Sequence, residues 1–188
     1  MSLPPITGGV LAGGAGQRMG GADKGLLPWR GAPLVRHVLD ALRPQCSELL
    51  ISANRNLDAY AGFGVPVLSD IEGEGPLAGL AALLGGARTP WLLGVPCDAP
   101  LLPVDLGAAL LRRALDAGRP ACLLGDEAGL HPTFCVVRTE MASAALEGAR
   151  GAQGLGAWLL SQGAVLLPAM APLNINTAQE LSASERLP

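Results

Sequence analysis

Leu11-Ala12-Gly13-Gly14-Ala15-Gly16-Gln17-Arg18-Met19-Gly20-Gly21-Ala22-Asp23-Lys24-Gly25 follows an apolar run that begins at Ile6. The run reads as a buried first strand and the rest as the loop leaving it. The stretch holds six glycines, one arginine and one lysine. Glycine has no Cβ, so the backbone can approach a ligand closely. Successive N–H groups turned one way form a nest for an anion. Arg18 and Lys24 add full positive charge, and a guanidinium can grip a phosphate through two parallel hydrogen bonds. The chemistry is that of a polyphosphate loop. It is not a P-loop, because Lys24 lies between Asp23 and Gly25 instead of between Gly and Ser or Thr. Nor is it a dinucleotide fingerprint, because the third glycine position falls on Met19.

Outward from this loop, strands and helices alternate. A helix is expected over Pro33–Arg43, with Leu34, Val35, Val38, Leu39 and Leu42 on one face. Strands follow at Glu48–Ala53 and Val65–Leu68. Leu77–Leu84 reads as a helix ending at Gly85-Gly86, and Trp91–Val95 as a central strand. Pro103–Ala117 reads as a helix, Ala121–Leu124 and Thr133–Val137 as strands. Thr139–Leu146 and Leu155–Gln162 read as helices, Val165–Leu167 as a strand and Thr177–Ser182 as a last helix. This alternation predicts an α/β fold: a single three-layer Rossmann-like domain over residues 1–188, with a mostly parallel sheet flanked by helices on both faces. Ligands bind such sheets beyond the carboxyl ends of the strands, which is where the polar motifs fall.

Composition narrows the function classes. With 188 residues, 49% hydrophobic and 15% charged, the chain can bury a large core and suits one domain. Its 26 glycines and 16 prolines punctuate apolar segments and form no low-complexity tract. A net charge of −3 without a basic block argues against a nucleic-acid polymer as partner. No signal pattern or membrane-length apolar stretch is visible, which predicts a cytoplasmic protein with no membrane partner. Cys46, Cys97, Cys122 and Cys135 show no zinc-site spacing and read as separate reduced thiols.

Asp98 is the leading site candidate. Pro96-Cys97-Asp98-Ala99-Pro100 holds a carboxylate between two prolines of fixed φ, just past a strand. A rigid hard oxygen suits Mg²⁺, the expected cofactor. The competing reading, an N-cap, places Asp98 too early for a helix beginning near Pro103. Gly75-Pro76-Leu77-Ala78-Gly79 opens a helix whose N-terminus favours an anion. Asn174 and Asn176 occupy alternate positions of an extended segment and so share a face.

The pattern Leu-Ala-Gly-Gly-x-x-x-Arg-Met-Gly-x-x-Asp-Lys resembles the signature loop of the molybdenum cofactor guanylyltransferases (MobA), nucleotidyltransferases of Rossmann-like fold. Ala53-Asn54-Arg55, Asp70, Gly75–Gly79, Pro96-Cys97-Asp98, His131-Pro132-Thr133 and Asn174-Ile175-Asn176-Thr177 match further family motifs in order, across nearly the whole chain. Residues 139–172 match only loosely. The resemblance implies transfer of GMP from GTP to molybdenum-molybdopterin, giving the guanine dinucleotide cofactor and pyrophosphate. It implies catalytic roles for Arg18, Lys24 and Asp98. It implies nucleotide contacts from Leu11, Ala12, Gly13, Gly14, Lys24, Asn54, Asp70, Gly75, Gly79 and Asp98, with the metal on Asp98. It places His131, Asn174 and Asn176 on the pterin side, and implies transient contacts with pterin-delivering and cofactor-accepting proteins. Gly13 goes with guanine in the family, where the cytidylyl counterpart has Leu-Ala-Ala-Gly. That CTP-dependent enzyme, a sugar-phosphate nucleotidyltransferase and a non-catalytic nucleotide-binding module are the alternatives. For the last, loss of Asp98 would leave nucleotide binding intact.

Overall fold

Ile6–Leu11, the predicted first strand, is buried along its whole length (β1). The computed structural model describes residues 2–12, 23–69, 75–175 and 177–184. β1 is flanked on both sides by parallel strands, β4 (Glu48–Ser52) and β6 (Trp91–Pro96). Between β1 and β4 lie a short hairpin, β2 (Pro28–Trp29) and β3 (Ala32–Pro33), and helix α1 (Leu34–Leu42). After β4 come α2 (Leu57–Ala61), β5 (Val67–Leu68) and α3 (Pro76–Gly86), then β6. The chain continues through α4 (Leu106–Asp116), β7 (Ala121–Asp126), β8 (Gly129–Arg138), α5 (Ala142–Arg150), α6 (Leu155–Ser161), β9 (Val165–Pro168) and α7 (Ala178–Ser184).

The sheet has seven strands in the order β5-β4-β1-β6-β8-β7-β9. Its pairings are parallel except those of β8, which runs antiparallel to both β6 and β7. The expected α/β class with a mostly parallel sheet therefore holds, and the reversal at β8 has a local cause. Asp126 turns the chain sharply: its Oδ1 accepts the N–H groups of Ala128 (2.8 Å) and Gly129 (3.2 Å), an Asx-type turn. So short a connection can only return the chain antiparallel. β8 consequently starts at Gly129, earlier than Thr133, because Pro132 is tolerated within it.

Both faces of the sheet are covered. One core packs α1 and α4 on it through Val35, Leu39, Leu110 and Leu111. The other packs α3, α5 and α6 through Leu80, Leu83, Ala145 and Trp158. α3 is apolar on nearly every side because it lies between the sheet and α5. A third, small cluster joins Trp29, Leu34 and Ile175. It belongs to the β2–β3 hairpin, whose Arg30 (φ 46°) and Gly31 (φ 82°) make the left-handed two-residue turn that hairpins prefer. That hairpin and α2 were not legible in the sequence. Pro33 precedes α1 as an extended residue (φ −60°, ψ 146°) and is not in its first turn, and α4 starts at Leu106, three residues after Pro103.

Burial pushes the thiols of Cys46 and Cys135 up to about 12 and that of Cys122 to about 11, so all three stay protonated and inert at neutral pH. Among the described residues no group of three His, Cys, Asp or Glu is arranged to hold a metal, and no helix is long and apolar enough to cross a membrane.

Candidate active site

Connections leave β1 in opposite directions, toward β4 on one side and, after β5, back to β6 on the other. The gap beyond the carboxyl ends of β1 and β6 is thus the topological switch point, where open α/β sheets bind ligands. The register aligns those ends. Leu11 is opposite both Ser52 and Pro96, Ala12 donates its N–H to the Ser52 carbonyl (2.8 Å), and Cys97 donates to the Leu11 carbonyl (3.1 Å). Leu11 and Ala12 are buried and form the floor of this rim.

Asp98 stands on the rim just past β6. It is 8% exposed, and α4 does not begin until Leu106, so Asp98 caps no helix. Its Oδ2 lies 3.2 Å from the Nζ of Lys24. Its Oδ1 is buried and has no hydrogen-bond partner among the described residues. Burial raises the carboxyl above the ordinary range, and the Lys24 charge only partly opposes this. An orphaned buried carboxylate oxygen beside a cation is a fit place for a hard divalent ion that takes few protein ligands.

Lys24 is delivered by a tight turn. Leu26 N–H donates to Asp23 C=O and Leu27 N–H to Lys24 C=O, each at 3.1 Å. Gly25 is buried against Cys97 and Tyr60. A Cβ there would lie 2.5 Å from Tyr60 Oη and 3.2 Å from Cys97 Cβ, so only glycine lets the turn close on the Cys97-Asp98 corner. Asp23, given no role in the sequence, accepts from Tyr60 Oη (2.6 Å) and Asn56 Nδ2 (2.9 Å). The adjacent Asp-Lys pair and the chain's single tyrosine, four residues after Asn56, were the available signals.

Asn54 is exposed just past β4. Gly75 precedes α3 with φ 83°, which glycine adopts readily, and Pro76 is the first helical residue. Gly79 is not open to a ligand: a Cβ there would meet Ser52 Oγ at 2.9 Å and Leu11 Cδ2 at 3.0 Å, so it lets α3 pack on the rim. Asn174 comes close to Asp98 through its neighbour, because Ile175 N–H donates to the Asp98 carbonyl at 2.8 Å. His131 sits in β8 at the same edge of the sheet and is engaged with Asp126, Nε2 to Oδ2 at 2.8 Å. The close approach of His131 is the main reason the Asp126 carboxyl lies below its ordinary range. The structure therefore brings Lys24, Asp98 and the Asn174-Ile175 segment together, and gives His131 a role in the β7–β8 hairpin. Gly13, Gly14, Arg18, Asp70 and Asn176 lie outside the described residues.

This geometry agrees with what the chain resembles. A MobA-like NTP transferase domain matches residues 8–165. A molybdenum cofactor guanylyltransferase of Ralstonia nicotianae is 43% identical over 193 residues, covering 94% of each chain. One of Acidovorax ebreus is 47% identical over 148 residues, covering 72% of this chain and 70% of its own length. In fold, the crystal structure of molybdopterin-guanine dinucleotide biosynthesis protein A from Archaeoglobus fulgidus superposes with a TM-score of 0.81 at 20% identity, covering 95% of this chain and 96% of that one. With a switch-point site of Lys24 and Asp98 on the matching fold, this chain belongs to the MobA-like NTP transferase family and is a nucleotidyltransferase.

Proposed function

We propose that this chain transfers GMP from GTP to molybdenum-molybdopterin, releasing pyrophosphate, and that Lys24 and Asp98 are its central catalytic groups. The observation that carries the reading is the Lys24–Asp98 pair, 3.2 Å apart, beside a buried Asp98 oxygen with no hydrogen-bond partner among the described residues. Without nucleotide, Lys24 neutralises Asp98. A triphosphate concentrates more negative charge than one carboxylate, so it draws Lys24 to itself and leaves both Asp98 oxygens open.

The phosphate oxygen of the pterin attacks the α-phosphorus of GTP in line, a P–O bond forms, the α–β bridging bond breaks, and pyrophosphate leaves with that electron pair. The nucleophile is already ionised at neutral pH, so no side-chain base is needed. Positioning and charge neutralisation carry the rate. Lys24, with Arg18, offsets the charge that builds on the leaving phosphates. Asp98 is the residue that would hold Mg²⁺, and the ion would supply positive charge to offset the charge that develops on the phosphates. Nucleotide contact is the role of Leu11, Ala12, Gly13, Gly14, Asn54, Asp70 and Gly75; Gly79 acts through α3 packing. Asn174 and Asn176 serve the pterin, His131 supports that role through Asp126, and transient partners deliver the pterin and accept the product.

The test is Mg²⁺-dependent pyrophosphate release with molybdenum-loaded molybdopterin, comparing GTP, CTP, ATP and UTP. Release with GTP alone supports the reading. Release mainly with CTP keeps the site and overturns the choice of base.

A further inference from the structure

Asp23 immediately precedes Lys24, and both of its carboxylate oxygens are held: Oδ1 by Tyr60 Oη at 2.6 Å, Oδ2 by Asn56 Nδ2 at 2.9 Å. Both donors belong to one short element. Asn56 stands before α2 in the left-handed region (φ 51°), and its carbonyl accepts the N–H of Tyr60 at 3.1 Å. The spacing of the two donors is thus set by one helical turn. Tyr60 is fully buried, and its phenol stays protonated because burial, first, and then the nearby Cys97 and Asp23 raise it. The same oxygen lies 2.5 Å from where a Cβ on residue 25 would be, so it also limits the turn from its far side. Lys24 therefore sits between a carboxylate that cannot swing and a glycine that cannot lift.

We propose that Tyr60 and Asn56 are positioning residues that clamp Asp23 and so aim the Lys24 ammonium at the phosphate site beside Asp98. The clamp rests on the reading of Lys24 as a phosphate-contacting residue. Lysine is a compact charge on a flexible stem, with several rotatable bonds to be constrained before its charge is placed. Holding both neighbours fixes the point from which the Lys24 stem springs before substrate arrives, so that only the side-chain torsions are left to be set.

The experiment is steady-state pyrophosphate release by the full chain with GTP and molybdenum-loaded molybdopterin, for Tyr60→Phe, Asp23→Ala, the double variant, Asn56→Gly and Lys24→Ala. Phenylalanine keeps the buried ring and removes the hydroxyl, with its hydrogen bond to Asp23 and its packing beside Gly25. We expect Tyr60→Phe to lower kcat/KM for GTP about tenfold, as fits loss of one hydrogen bond to a charged group, with KM for the pterin unchanged. In the Asp23→Ala background the same substitution should cost much less, because the hydrogen-bond partner is gone and only the packing beside Gly25 is left to lose. A merely structural tyrosine would lower the thermal midpoint and leave the GTP parameters of the folded enzyme alone. Wild-type kcat/KM in Tyr60→Phe, or additive losses in the double variant, overturns the clamp. If Tyr60→Phe does not fold, Asn56→Gly, which keeps the left-handed backbone at an exposed position, reads the same coupling to Asp23 and decides in the same way. Full turnover by Lys24→Ala overturns the site reading and the clamp with it, whereas an inactive Lys24→Ala beside an unaffected Tyr60→Phe removes the clamp alone.

Discussion

Ile175 donates its backbone N–H to the carbonyl oxygen of Asp98 at 2.8 Å, so the C-terminal segment is stitched to the residue at the centre of the site. The side chain of Ile175 is fully buried against Trp29 and Leu34, and the Trp29 indole N–H donates to Ser184 Oγ at 2.9 Å. The small cluster thus connects the hairpin that follows Lys24 with the segment carrying Asn174. Thr177 and Glu180 begin α7 as a reciprocal capping box, with Thr177 N–H on Glu180 Oε2 (3.0 Å) and Glu180 N–H on Thr177 Oγ1 (3.1 Å).

Ile175→Ala should destabilise the fold by about 2–5 kcal/mol, the range for emptying a buried aliphatic site. Hydrogen exchange should rise first in residues 174–184 and in the hairpin, because the satellite cluster is small. The expected activity change is a higher KM for the pterin with little change in KM for GTP. Equal exchange across the whole sheet would show that the cluster is not a separate unit.

Asp98→Asn should keep the fold and lower turnover by at least about a hundredfold, as for loss of a preorganised charge-stabilising group. Circular dichroism and pyrophosphate release check the two halves. The raised Asp98 carboxyl also predicts a pH effect. Its proton is held more tightly folded than unfolded, so the stability it contributes is present below the ordinary carboxyl range and is lost as pH rises through its raised folded value. On the proposed role activity moves the opposite way, since a carboxylate that is to hold a metal must be deprotonated: the acid limb of the rate profile should lie above an ordinary aspartate's and vanish in Asp98→Asn.

Glu48 bridges β1 and the α3–β6 connection, accepting from Thr7 Oγ1 at 2.6 Å and from Arg88 N–H at 2.7 Å. The Thr7 hydrogen bond, then that of Arg88, lowers its carboxyl below the ordinary 4.5. Its stabilising contribution is therefore present above about pH 4.5 and lost as pH falls through the depressed value. Glu48→Gln should cost about 1 kcal/mol at neutral pH, and the gap from wild type should close in acid. Urea midpoints at pH 7 and at pH 3.5 measure this.

Gly79→Ala puts a methyl 2.9 Å from Ser52 Oγ and 3.0 Å from Leu11 Cδ2. Overpacking of this kind costs about 1–3 kcal/mol. Because α3 is pushed away from the rim, GTP should bind more weakly, as calorimetric titration would read. Unchanged stability and affinity would mean that α3 shifts freely, against the packing seen here.

Much of this protein was legible along the chain because its signals are local. Apolar runs, prolines and glycines marked β1, β4, β6, α1 and α3, and their alternation implied the α/β class and a rim of polar residues. Asp98 stood out because two prolines and a buried strand constrain it within five residues. Tertiary structure alone decided the rest. The reversal of β8 follows from a side-chain turn at Asp126, which interrupts a pattern that otherwise reads as crossover after crossover. Gly79, a nucleotide contact by resemblance, has Ser52 and Leu11 packed where a Cβ would be, and only the register of β4 beside β1 shows what stands opposite it. The partnership of Asp23 with Tyr60 spans 37 residues and that of Lys24 with Asp98 spans 74. Neither span carries a periodicity to announce it: a strand or helix repeats its pattern along the chain, whereas a site is assembled from loop residues whose only common property is the edge of the sheet on which the strand order sets them down.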